Sequence, residues 1–137
     1  MVSNSRTVSD SRPRCPWSSN DAEYVRYHDV EWGSPSRDDQ HLFEMLVLES
    51  MQSGLSWLTI LRKRENFRRA FANFDVRVVA KYNAAKVNRL LADPGIIRNR
   101  KKIEAAIANA QAALHVTGEV GSLADFLWSV IGNRPLV

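Results

Sequence analysis

Cysteine occurs once in the 137 residues, as Cys15. This excludes an internal disulfide and agrees with a reducing compartment. Long apolar runs are also missing: nothing suffices to span a bilayer and no hydrophobic signal core opens the chain. The expected protein is therefore soluble, cytoplasmic and free of the membrane. No stretch alternates apolar and polar residues between hairpin signals, and no repeat of useful length recurs, which leaves helices as the building material. At this length one domain suffices, with roughly two-thirds of the unfolded surface buried around a single core.

What is present is unevenly spread. The net charge of +4 conceals a tail, 1–14, at +2, then a segment, 15–61, with eight acidic against two basic side chains, then a segment, 62–137, with fourteen basic against six acidic. An acidic first half beside a basic second half suits a pocket that prefers a cation next to a face that prefers a polyanion.

The polar, Ser- and Arg-rich residues 1–14 read as a disordered tail, and residues 15–137 as the domain. Trp17, Tyr24, Tyr27, His28 and Trp32 crowd the first ordered stretch, with Asn20 placed to cap a short helix over 21–29. Ser36 followed by Asp39 approximates a capping box for a helix running to about Gln52, stopped by Gly54. Advancing ~100° per residue places Leu42, Met45, Leu46 and Glu49 on one arc and Glu44 opposite, which predicts that Glu49 faces the core and Glu44 faces water. A carboxylate among apolar side chains needs pairing, protonation or a ligand. Helical geometry alone leaves open the blander reading, a partly solvated group at a helix end.

Further along, Ser56 caps a predicted helix from Trp57 to Phe71, with Arg62, Lys63, Arg64, Arg68 and Arg69 on its polar side. Asp75 caps a short turn with Val78 and Val79 inward, and Asn83 caps 84–91. Pro94-Gly95 then breaks the chain, Ile96 and Ile97 can plug the gap, and Asn99 can cap a long helix to about His115. That predicts a helix, a tight hairpin and a helix, a DNA-binding element in which Arg98, Arg100, Lys101 and Lys102 form a basic collar suited to phosphates around the hairpin of Gly95 and Ile96. Gly118 and Gly121 mark a loop, and Ser122 caps a last helix with Leu123, Phe126, Leu127 and Val130 inward. Asp125, within that helix, reads as structural or solvent-facing. Taken singly, a basic hairpin is often only a solvated face and an aromatic only core.

In combination the blocks Arg14-Cys15-Pro16-Trp17, Tyr24 to Gly33, Leu42-Phe43-Glu44-Met45, Leu48-Glu49, Gly54-Leu55-Ser56-Trp57, Lys63-Arg64-Glu65-Asn66 and Gly95-Ile96-Ile97-Arg98 resemble the DNA-3-methyladenine glycosylase I family, of the helix-hairpin-helix glycosylase superfamily, from residue 14 to about 137. The resemblance implies an all-α helical bundle with a helix-hairpin-helix element. It implies a base-excision repair enzyme that flips 3-methyladenine out of double-stranded alkylated DNA and hydrolyses its glycosidic bond, as a monomer without a catalytic cofactor. Carried over, Glu49 holds the cationic base, Trp57 stacks on it, Tyr24, Tyr27 and Trp32 line the pocket, and Leu55 fills the vacated stack.

The same resemblance implies a structural zinc with Cys15 and His28 as two ligands and a second histidine–cysteine pair nearer the C-terminus. His41 and His115 match neither of those, so the sequence offers half a site. The family also continues a few dozen residues beyond Val137. The alternative expectation is a catalytically impaired DNA-binding fragment that keeps the hairpin grip.

Overall fold

The computed structural model describes residues 7–136. Eight α-helices occur among them: α1 (Ala22–Arg26), α2 (Asp39–Gln52), α3 (Trp57–Arg62), α4 (Arg64–Ala70), α5 (Val76–Val79), α6 (Ala84–Leu91), α7 (Arg100–Val120) and α8 (Leu123–Ser129). Among the described residues the only extended pairing is an isolated bridge between Thr7 and Asp21. Among the described residues no helix is long and apolar enough to cross a membrane.

Side-chain caps start most of these helices as the sequence predicts. Ser56 accepts from Thr59 N at 3.1 Å, Asn83 from Lys86 N at 3.0 Å, Asn99 from Lys102 N at 3.2 Å and Ser122 from Asp125 N at 2.9 Å. Two caps move. Asp21, not Asn20, caps α1, and Asp38, not Ser36, caps α2, because a carboxylate at each site accepts the free first-turn amides. The expected helix over 57–71 is broken at Lys63, whose φ of −98° and ψ of 0° let α4 turn away from α3. Beyond α1 the chain widens into a π-helical turn, Tyr27–Glu31. Gly118 lies inside α7 and Gly121, at φ +111°, ends it.

The core gathers around α2. Phe43, Val47, Leu48 and Met51 are fully buried and belong to one cluster with Ile60 and Phe67, with Phe71 and Phe74, and with Ile96 and Ile103. Four apolar inward assignments fail: Leu46, Val78, Phe126 and Val130 are exposed, whereas Val79 and Leu123 are buried as expected. Asp125 is exposed, as expected.

The expected disordered tail gives way at 7–14. Val8 N donates to Asn20 O at 2.7 Å, and the largely buried Arg14 guanidinium bridges Asp10 at 2.6 Å and Asp29 at 2.8 Å. Polar composition here supplies ion pairs that dock the segment onto the π turn. Residues 1–6 of that tail lie outside the described residues.

Candidate functional site

The predicted inside and outside of α2 are interchanged. Glu44 is buried, at 5% exposure, and Glu49 is exposed. Leu42, Phe43, Met45, Leu46, Val47, Leu48 and Met51 surround almost the whole circumference of the helix, so periodicity alone cannot choose the core face. Arg64 and Arg68 of α4 make the choice. Arg64 Nε donates to Glu44 Oε1 at 2.8 Å, with its Nη2 on the same oxygen, and Arg68 Nε donates to Glu44 Oε2 at 2.9 Å. Burial opposes ionisation of Glu44, but the hydrogen bonds from Arg68 and Arg64 outweigh it, and its pKa lies below the ordinary carboxylate value.

Arg64 also holds Glu31, the last residue of the π turn, with Nη1 on Oε2 at 2.6 Å. His41 Nε2 lies 2.9 Å from the other Glu31 oxygen. Hydrogen bonding from Arg64 chiefly, and from His41, lowers the Glu31 pKa to about 2. One guanidinium thus ties α2 to the turn that carries Tyr27 and His28 and leads into Trp32. Arg64 and Arg68, on the polar side of the predicted helix, are thus the partners of a buried carboxylate.

The aromatic residues meet in space. Trp17 lies 5.3 Å from Tyr24, 6.2 Å from Tyr27, 5.2 Å from His28 and 5.2 Å from Trp32 between ring centroids. Tyr27 extends the cluster to Trp57 at 5.4 Å. Burial first, then the nearby Glu49 and Glu31 carboxylates, raise the Tyr27 pKa, so Glu49 stands within electrostatic reach of its hydroxyl. Trp57 is about nine-tenths buried, and its indole Nε1 has no hydrogen-bond partner in the protein. An unsatisfied buried donor is uncommon in a folded protein. Trp17 is the hub that sequence reasoning left without a role. Its only signal was its place two residues after Cys15 among other aromatics.

Tyr27 and Trp32 also line an apolar cleft of about 360 Å³ with Leu42, Met45, Leu127 and Trp128. Glu49 and Trp57 do not line it, and Tyr27 is the residue that joins the cleft to Trp57. Tyr24 joins through Trp17.

The segment between α2 and α3 is a tight turn. Gly54 adopts φ +80°, a left-handed conformation that glycine accepts without steric penalty, and Leu55 stands 41% exposed at the tip. Residues 92–99 join α6 to α7. Gly95 N donates to Asp93 Oδ1 at 2.8 Å, and Asn66 Nδ2 donates to Gly95 O at 3.0 Å. Ile96 is buried beneath, in the place between helices that the sequence predicts for it. Arg98 and Lys101 are exposed, and Arg100 reaches Asn88 and Glu104. Lys102 turns the other way. Its Nζ donates to Met51 O at 2.8 Å and Ser53 O at 2.6 Å, so it caps the end of α2 and does not point to solvent as the collar required.

Cys15 and His28 do come together: Cys15 N donates to His28 Nε2 at 3.4 Å, and His28 Nδ1 lies 2.8 Å from Asp29 Oδ1. Among the described residues no group of three or more His, Cys, Asp or Glu side chains is placed to hold a metal ion. Two ligands do not make the tetrahedral set that zinc takes in structural sites, so the described residues alone do not fit one.

A family model described as methyladenine glycosylase matches residues 17–137. The DNA-3-methyladenine glycosylase of Haemophilus influenzae is 44% identical over 124 residues, covering 90% of this chain and 67% of that protein. DNA-3-methyladenine glycosylase 1 of Escherichia coli is 48% identical over 124 residues, covering 90% and 66%. The chain thus spans about two-thirds of the length of these relatives. Among solved structures, one that describes 3-methyladenine recognition by 3-methyladenine DNA glycosylase I (TAG) from Staphylococcus aureus aligns with a TM-score of 0.86 at 42% identity, covering 89% of this chain and 65% of that one.

Proposed function

Since the chain belongs to the methyladenine glycosylase family, we propose that it excises 3-methyladenine flipped out of alkylated double-stranded DNA, working as a cytoplasmic monomer in base-excision repair. The observation that carries this reading is the meeting of Trp17, Tyr24, Tyr27, Trp32 and Trp57 in one aromatic cluster, with the exposed Glu49 carboxylate among the charges that act on the Tyr27 hydroxyl. A flat cationic ring is what such a site prefers: the carboxylate favours its charge, the aromatic faces favour stacking, and a neutral adenine forgoes the ionic contribution.

The chemistry asks little of a general acid. Methylation leaves the base positively charged, so when the bond between base and C1′ breaks, its electron pair neutralises the departing ring. Water then adds to C1′ and releases a proton. The protein's work is extrusion, selection and holding. Glu49 hydrogen-bonds the base, Trp57 and Tyr27 stack on or against it, and Tyr24, Trp32 and Trp17 support that wall. Leu55, an exposed apolar tip, is shaped to occupy the gap left in the stack. The helix-hairpin-helix element formed by α6, residues 92–99 and α7 grips the DNA backbone through its turn amides with Arg98, Arg100 and Lys101.

If the metal is bound, Cys15 and His28 supply two of its ligands, and its role is to hold the N-terminal segment against the π turn.

The test is release of 3-methyladenine from alkylated duplex DNA by this chain beside its Glu49→Ala variant. Release by the parent and its loss in the variant support the reading. Salt-sensitive DNA association without base release assigns the chain instead to the impaired DNA-binding fragment.

A further inference from the structure

Lys102 sits in the first turn of α7, the helix that leads out of the proposed DNA-gripping hairpin. Its side chain leaves that face altogether. Nζ reaches two carbonyls some fifty residues earlier in sequence, Met51 O in the last turn of α2 and Ser53 O in the following turn, at 2.8 and 2.6 Å. These are end-of-helix carbonyls that lack intrahelical donors, and a cation is well placed against the negative end of the helix dipole. The next two residues are Gly54 at φ +80° and the exposed Leu55, whose amide donates to Gln52 O at 2.6 Å. On the far side, Ser56 fixes the start of α3 through Thr59. The Leu55 turn is therefore held at one end by its own helix cap and at the other by a lysine belonging to the hairpin helix.

We propose that Lys102 is a positioning residue that couples the hairpin to the Leu55 turn, setting where the wedge stands relative to the gripped DNA backbone. Its consequence for base extrusion rests on the glycosylase reading above; the mechanical coupling does not. A leucine on a glycine-containing turn has many orientations open to it. A wedge must meet the base stack at a fixed distance from the phosphates that the hairpin holds. Two charge-assisted hydrogen bonds from the hairpin's own helix meet that requirement, because whatever seats the hairpin then seats the turn. The same contacts fix the end of the helix that carries Glu49, two residues before Met51.

The experiment compares Lys102→Met, Lys102→Arg, Leu55→Ala and the Lys102→Met/Leu55→Ala double variant, by amide hydrogen exchange and by base release from alkylated duplex DNA. In Lys102→Met the Leu55 amide is expected to exchange about tenfold faster while mid-helix amides of α7, such as Ile107, keep their protection. Lys102→Arg, with donors enough for both carbonyls, is expected to restore most of it. Each single loss slows base release, and the double variant is no slower than the slower single one, because the lysine acts through the leucine's turn. Unchanged Leu55 exchange in Lys102→Met overturns the proposal, and so does acceleration shared equally by Ile107, which marks general destabilisation. Independent, multiplying losses in the double variant overturn the coupling. Absence of base release in the parent chain together with a loosened Leu55 amide in Lys102→Met overturns the glycosylase reading and upholds the coupling.

Discussion

Arg64 donates to both oxygens of Glu31 and, through Nε, to the buried Glu44 carboxylate at 2.8 Å. A single side chain from α4 thereby fixes both the register of α2 and the turn that presents Tyr27 and Trp32. The ion pairs are more than surface decoration, since Glu44 has almost no access to water with which to replace a lost partner.

Removing that partner is expected to be costly. Arg64→Met leaves a buried carboxylate with Arg68 alone and should lower unfolding stability by about 3 kcal/mol, read as a lower urea midpoint at constant slope. Adding Glu44→Gln to the same protein should recover part of the loss, because the stranded charge is then gone. Equal stability of Arg64→Met and the parent contradicts the buried-pair assignment.

Stability should fall in acid for the same reason. Glu31, lowered to about 2 from an ordinary 4.5, and Glu44, also lowered, are ionised in the folded chain at pH values where the unfolded chain binds protons. Their contribution is complete above the unfolded value and disappears as pH drops from about 4.5 toward 2, on the order of 2 kcal/mol for Glu31. Denaturant titrations from pH 6 to pH 2 should show this slope, and Glu31→Gln should flatten it.

Glu49 behaves differently. It is exposed and unpaired with any arginine of the core, so Glu49→Gln should leave stability within about 0.5 kcal/mol of the parent. Calorimetric binding of free 3-methyladenine should weaken about tenfold or more, the value of a hydrogen bond to a charged group. A variant that binds the base undiminished removes Glu49 from the site.

Gly95 offers a test of the hairpin. A Cβ there would stand 3.0 Å from Asn66 Cγ and 3.1 Å from Asp93 Oδ1, the residues that brace the turn. Gly95→Ala should therefore displace Asn66, cost about 1 kcal/mol and weaken association with undamaged duplex DNA. Binding of the free base, which makes no use of the turn, should be unaffected. Fluorescence anisotropy at several salt concentrations separates these outcomes.

Much of the architecture is local in origin, which is why it is legible in one dimension. Ser56, Asp75, Asn83, Asn99 and Ser122 cap the helices that their positions predict, because a cap concerns amides two or three residues away. The helical class, the breaks at Pro94-Gly95 and Gly121, and the crowding of aromatics between Trp17 and Trp32 are likewise properties of neighbouring residues. The family follows from the order of short blocks.

Tertiary structure alone decided which way α2 faces, because its apolar residues leave no polar side and the choice falls to arginines twenty residues away. The same holds for Lys102, whose bond-forming partners lie on another helix, for Trp17 as the hub of the cluster, and for Arg14, which turns a polar tail into a docked segment. Charges find their partners only when the chain has folded. A glutamate's spacing shows that it sits beside apolar residues, but the distance to an arginine decides whether it is a buried strut, as Glu44 is, or an open carboxylate like Glu49.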